Sequence, residues 1–511
     1  MAGRQSSLKS VFLLSAGSFG HLVLQFVLLK ILADLYGTGE QKAAYSAARA
    51  VPLVISTILI GTLNFAFVPI FVERRERLGR RAAWETAGSV VGLMLLVTTS
   101  FAIIASLAAH PLIARLNPNF SGEQLELTVG LFRIVVWLTV TNGMIGVLQA
   151  LHQCQHRFLL PALSPILGSG VAVLSTWLLH EKLGIAATAY GVLIGAILGA
   201  TIQLPLFLRH ARMRLGTDEG LSRILHMMAP LVAGAAYYKL DPLVDRYLLQ
   251  PTSIPLLDYS WAITSAMLIL TSSGLSVVVF PVIAQHSSSG NRAGLKDELA
   301  YAMRFLAFVL TPVVVGLLFF STPVIRDLFQ GGEFTPADTE MVSRLVKIYT
   351  LVMIAGSFGE MLSRVFYVLN DTWTPVRISV VGFTLGAITK NLVAPQWGVI
   401  GVVSATSAYY LFNASSMLWL LRKRIQGVGF GGVLRMVRDS MFGAAVAAAV
   451  AYCVILLGFR LSSIVAALVA AAAYGGVMYG IRNEFAVMFV SYLVGLRDRI
   501  RQAGGNSDAD Q

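Results

Sequence analysis

Stretches of about 20 apolar residues, each long enough to cross ~30 Å of hydrocarbon, follow one another along this sequence in an order that occurs twice. Pro69 in AFVPIFVE is matched by Pro281 in VVFPVIAQ, 212 residues later. Pro161 and Pro375, which open later apolar segments, lie 214 apart, as do Gly184 and Gly398 and the basic residues Arg209 and Lys423 that close the following stretches. Such constant spacing marks a duplicated membrane lobe. Lipid offers no partner to backbone polar groups, so segments of this length must satisfy their hydrogen bonds internally as helices.

The expected fold is an all-α polytopic membrane protein with about 14 transmembrane helices. Residues 1–222 form an N-lobe of helices 1–6 with a basic connector, and 223–424 a C-lobe of helices 7–12 whose seventh and eighth spans cover 224–249 and 257–285. Helices 13 and 14 (425–482) have no counterpart in either lobe. Residues 483–511 hold an amphipathic segment suited to the inner leaflet and a polar, disordered tail. Six spans per lobe is an even number, so the two lobes enter the membrane in the same orientation as parallel repeats, arranged in a V.

A chain with 56% hydrophobic and 13% charged residues, and a mean hydropathy of +0.72, is too apolar for a soluble domain. With the N-terminus inside, inside segments carry 24 Lys/Arg and outside segments six, Lys42 among the latter. Both termini are therefore expected in the cytoplasm, with the protein in a bacterial inner membrane. Topology and anionic headgroups account for the net charge of +13 without nucleic acid. The two cysteines, Cys154 and Cys453, fall in separate segments and predict no structural disulfide. There is no Walker A sequence, no HExxH and no metal-spaced cysteine set. The expectation is a non-enzymatic transporter without metal or cofactor, coupled to membrane potential or a monovalent cation.

Ionisable groups inside the spans cost at least about 2.5–3.5 kcal/mol each, so they should face partners or a watery cavity. Arg304, Lys347 and Lys390 are expected near span ends, their charges reaching the headgroups. Lys239, Asp241, Asp245 and Arg246 share the seventh span at spacings that allow mutual pairing, as a structural ion cluster or as a proton or cation site. Asp258 and Glu360 join Asp241 and Asp245 as ion-coupling candidates. Arg49 stands at the repeat position of Trp261, placing a cation and an aromatic ring as candidate cargo contacts. His21 and Gln25, four apart, form a polar stripe that either lines a cleft or bonds a neighbouring helix. Lys30, Lys239, Arg364 and Asn64 complete the cavity candidates. Asn64, Asn142 and Asn413 also suit hydrogen bonding between helices.

AFVPIFVE, GVLQALHQCQHRFLLPALSP, LFQGGEFTPADTEM, VFYVLNDTWTPVRIS and WGVIGVVSATSAYYLFN, in this order through both lobes, resemble the MurJ/MviN family of lipid II flippases, within the multidrug/oligosaccharidyl-lipid/polysaccharide exporter superfamily. The resemblance implies a two-lobe flippase carrying a polyprenyl-diphosphate-linked glycan precursor from the inner to the outer leaflet by alternating access. It implies a cationic cavity, and a groove at the last two helices for the polyprenyl tail. Membrane lipids and glycan-synthesis enzymes would be its partners. The sequence departs from the family where arginines are expected. Ser56 and Thr57 stand near that position on the second helix and Ala262 on the eighth, and the first carries His21, Leu22 and Leu28. These departures leave lipid II and a related cell-wall or surface-polysaccharide intermediate open as cargo. Two other classes fit the same architecture: a cation-coupled exporter of small amphipathic molecules, and a non-transporting scaffold of a glycan-synthesis complex.

Overall fold

The computed structural model describes residues 2–288, 291–425, 430–458 and 462–491. The end of the expected amphipathic segment and the polar tail lie outside these residues. Among them the chain is helical, with a single isolated bridge between Gly331 and Phe334. The helices are α1 (Ala2–Tyr36), α2 (Glu40–Arg77), α3 (Gly79–Leu107), α4 (Ala109–Leu116), α5 (Gly122–Val135), α6 (Leu138–Cys154), α7 (Leu159–Leu183), α8 (Ala186–Thr201) and α9 (Leu204–Leu208). They continue as α10 (Glu219–Lys239), α11 (Asp241–Leu248), α12 (Ser253–Ser288), α13 (Arg292–Phe329), α14 (Pro336–Val368), α15 (Trp373–Arg424), α16 (Phe430–Leu456) and α17 (Ser462–Gly480).

Twelve of the described helical segments are long and apolar enough to cross a membrane. One of these, α15, runs for 52 residues, and Gly398 interrupts it with φ 52°, ψ −136°, leaving a membrane-length stretch on either side. The expected continuous seventh span, 224–249, is instead broken at Leu240 into α10 and the eight-residue α11, with Pro242 in the first turn of α11. Proline lacks an N–H and fits a first turn. Among the described residues, length and hydropathy do not reach the expected count of fourteen.

The duplicated spacing has a backbone counterpart. Gly184 (φ 55°, ψ −142°) ends α7 in the conformation that Gly398 adopts in α15. His156 (φ 55°) and Asn370 (φ 58°) are both left-handed, and both follow a helix closed in the same way. In one, the N–H groups of His156 and Arg157 donate to Gln153 O and His152 O; in the other, those of Asn370 and Asp371 donate to Tyr367 O and Phe366 O. This double bond to the last carbonyls is a Schellman closure.

The chain divides into two compact units. The first holds Met1–Tyr259, Gly331–Asp338 and Phe383–Val402, and the second Ser260–Gln330, Thr339–Gly382 and Val403–Gln511. One core of the first unit packs Phe67, Phe71, Trp84, Leu148 and Phe207, and a second packs Leu32, Tyr45, Ile113 and Phe132. Along α8, Gly191, Gly195 and Gly199 face α7 at one-turn intervals. A Cβ at Gly195 would stand 2.3 Å from Gly168 O, so only glycine allows this approach. The core of the second unit packs Leu306, Leu362, Phe366, Leu421 and Met478. There Arg304, expected at the headgroups, lies 2.9 Å from Glu484.

Candidate functional site

The first unit contains a chain of buried ion pairs. Lys390 on α15 is wholly buried, and its Nζ donates to Asp241 Oδ1 and Asp245 Oδ1, each at 2.6 Å. In place of the expected reach to the headgroups, Lys390 pairs with two carboxylates of the seventh span. The carboxylates on α11 meet a lysine from a distant helix because an ammonium buried without them would be far too costly. Arg246, 7% exposed, turns the other way. It donates to Asp258 Oδ1 (3.0 Å), Ser46 O (3.3 Å) and Pro242 O (2.9 Å). Lys42, expected in an outside segment, lies in the first turn of α2 at 2% exposure. Its Nζ donates to Ser46 Oγ at 2.7 Å and stands 3.6 Å from Asp258 Oδ2, over the ring of Tyr259. No feature of the sequence marked Lys42, because residues at a helix start are ordinarily wet.

Two helical turns beyond Lys42, Arg49 reaches the ring of Tyr45 at 5.8 Å, and among the described residues it has no carboxylate within ion-pair distance. The buried chain holds Lys42, Arg246 and Lys390 against Asp241, Asp245 and Asp258, so its charges match and Arg49 is the surplus cation. Arg49 lines a cavity of about 280 Å³ inside the first unit. The same wall carries His21, Gln25, Asn142, Ser164 and Ser169 among apolar residues of α2, α7 and α8.

The polar residues of this wall are ordered by bonds between helices. His21 Nδ1 lies 3.1 Å from Pro165 O and 2.7 Å from Ser169 Oγ, and Gln25 Nε2 donates to the same Oγ at 3.5 Å. These residues join α1 to α7 and also face the cavity. Asn142 donates to Ser56 Oγ at 3.2 Å, tying α6 to α2. Polar side chains thus line an apolar recess beside a guanidinium without a carboxylate partner among the described residues, an arrangement that can hold an anionic, oxygen-rich group.

The other candidates lie elsewhere. Lys30 pairs with Asp34 at 2.6 Å, and Asn64 donates to Ile60 O on its own helix at 3.1 Å. Lys239 closes α10. In the second unit Trp261 meets Tyr349 edge-on at 5.5 Å, and Arg364 pairs with Glu360 one turn away on α14. Among the described residues none of these lines that cavity, and no group of acidic, histidine or cysteine side chains is placed to hold a metal.

A family model described as "Lipid II flippase MurJ" matches residues 32–473. The chain is 24% identical over 457 residues to a probable lipid II flippase MurJ of Vibrio cholerae, covering 85% of each sequence. It is 25% identical to a probable lipid II flippase MurJ of Synechocystis, covering 79% of each. Among solved structures, a lipid II flippase MurJ in an inward closed conformation superposes with a TM-score of 0.79 at 21% identity, over 93% of this chain and 99% of that one. An inward-facing multidrug-resistance MATE transporter superposes with a TM-score of 0.70 at 16% identity, over 80% and 94%. These structural likenesses establish the exporter fold.

Proposed function

Because the chain belongs to the MurJ family of lipid II flippases, we propose that the recess around Arg49 receives the diphosphate of a polyprenyl-linked glycan precursor. The protein is a multi-pass membrane transporter that flips such a precursor. The observation that carries the reading is Arg49 itself, a guanidinium left unmatched beside a chain of paired charges and opening on a cavity. A diphosphate cannot cross hydrocarbon without large desolvation cost, and a guanidinium in a recess of low dielectric offsets part of it through charge-assisted, bidentate bonds. His21, Gln25 and Asn142 supply polar atoms around it. A volume of about 280 Å³ is at the small end for ligand sites, which suits the diphosphate and its first sugar while the rest of the glycan stays in water.

The direction we propose is from inner to outer leaflet by alternating access, with both termini cytoplasmic as the 24 to six distribution of basic residues favours. Membrane potential is the proposed drive in place of a bound cation. The buried carboxylates Asp241 and Asp245 already hold the ammonium of Lys390, and Asp258 is shared by Lys42 and Arg246.

The test is rescue of cells depleted of their own lipid II flippase. The parent chain should restore growth and outer-leaflet lipid II, and Arg49→Ala should abolish rescue with unchanged membrane abundance. Full rescue by Arg49→Ala would remove the recess from the mechanism. Failure of the parent chain itself, together with loss of a surface polysaccharide on deletion from its own host, would assign a related polyprenyl-linked cargo.

A further inference from the structure

We propose that the groove between the start of α3 and the segment after α9 binds the phosphate-bearing headgroup of an anionic membrane phospholipid, at a site separate from the Arg49 recess. The groove has a volume of about 520 Å³ and is lined by Arg80, Arg81, Trp84, Glu85, His210 and the arginines at 209, 212 and 214. Glu85 is its one carboxylate and is shared by Arg81 (3.2 Å) and Arg214 (3.5 Å). Arg80, Arg209 and Arg212 have no carboxylate partner among the described residues. Five guanidiniums around a single carboxylate would repel one another in a merely structural cluster. They suit a ligand with several anionic oxygens, which guanidinium binds in pairs.

The groove is built by close packing of the backbone. Arg214 N donates to Gly88 O at 3.2 Å. A Cβ at Gly88 would stand 2.3 Å from Arg212 O and one at Gly92 2.1 Å from Arg214 O, so these glycines let the extended segment lie directly on α3. Trp84, 3% exposed, stacks on His210 at 4.7 Å and 16°, which fixes the near wall. Its Nε1 is buried and has no acceptor among the described residues.

The residues flanking the groove arginines in sequence distinguish a lipid from free phosphate. Leu208 (63% exposed), Met213 (53%) and Leu215 (72%) alternate with the arginines along the segment. Apolar side chains interleaved with guanidiniums, at the end of a helix entering the membrane, match the boundary between headgroup and acyl chain. Neither a nucleotide nor inorganic phosphate would use them.

Native mass spectrometry of the full-length protein in detergent, titrated with phosphatidylglycerol, phosphatidylcholine and inorganic phosphate, tests the assignment. Phosphatidylglycerol should bind at least about tenfold more tightly than phosphatidylcholine, as expected where each guanidinium at the surface adds to anionic-lipid affinity. The preference should disappear in Arg80→Gln/Arg209→Gln/Arg212→Gln, which leaves every ion pair of the groove in place, while millimolar inorganic phosphate should not compete. Equal affinity for the two lipids, or an unchanged preference in the triple variant, would overturn the site. Competition by inorganic phosphate would overturn its assignment to a lipid.

Discussion

Lys390 shows how far a single charge depends on partners that lie elsewhere in the sequence. Its two carboxylates are 149 and 145 residues away, so a reading of local hydropathy could place it only by its apolar neighbours. His21, Gln25 and Arg49 were legible for the opposite reason, since a polar side chain inside an apolar run is conspicuous on its own. Removing Lys390 leaves two carboxylates buried side by side. Lys390→Ala should cost about 3–5 kcal/mol of stability, read as a lowered thermal midpoint of the purified protein. Lys390→Ala/Asp241→Asn/Asp245→Asn should recover much of that loss. The single variant should also acquire stabilisation by sodium, as an added cation takes the place of the ammonium, whereas the parent should melt alike in sodium and choline chloride. A sodium-dependent midpoint in the parent would show that these carboxylates take a cation despite Lys390.

At the level of elements, packing and capping determine where the helices end and how closely they approach. The Asp371 carboxylate accepts from the N–H (3.0 Å) and Oγ1 (2.8 Å) of Thr374 at the start of α15, and pairs with Arg424. Burial acts to raise its pKa, but these hydrogen bonds and the guanidinium prevail and hold it below its usual 3.8. The stability it contributes is therefore complete above 3.8 and declines as pH falls through the lower value of the folded state. Asp371→Ala should lower stability by about 1 kcal/mol at neutral pH and flatten that acid-side decline, measured as thermal midpoint against pH. Gly195 tests the other kind of constraint. Gly195→Ala places a methyl 2.3 Å from Gly168 O and should cost about 1–3 kcal/mol, as overpacking does. Gly170→Ala on α7, where a Cβ meets nothing within 4 Å, should be neutral or stabilising. Equal effects at the two sites would mean that α7 and α8 are not held at this separation.

For the whole molecule, repetition was readable because it is written in prolines, glycines and helix ends. Gly184 with Gly398 and His156 with Asn370 carry the same backbone geometry 214 residues apart. The break at Leu240 was not readable, because the charges that mark α11 find their partners only in the folded first unit. The energetics of transport follow from how those charges are matched. A diphosphate diester carries about two negative charges, and an inside-negative potential of 100 mV favours moving each outward by about 2.3 kcal/mol. With cargo bound at Arg49 as proposed, its surplus charge would offset part of that gain and restore it on release, so the potential would drive net export without a co-transported ion. Outer-leaflet precursor in cells relying on this protein should therefore collapse when valinomycin clamps the potential at equal potassium, within the time of one round of synthesis. Replacing external sodium by choline should leave export unchanged. Loss of export on sodium removal with the potential intact would place the drive in a cation gradient, and the pairing of Lys390 with Asp241 and Asp245 would then have to open during the cycle.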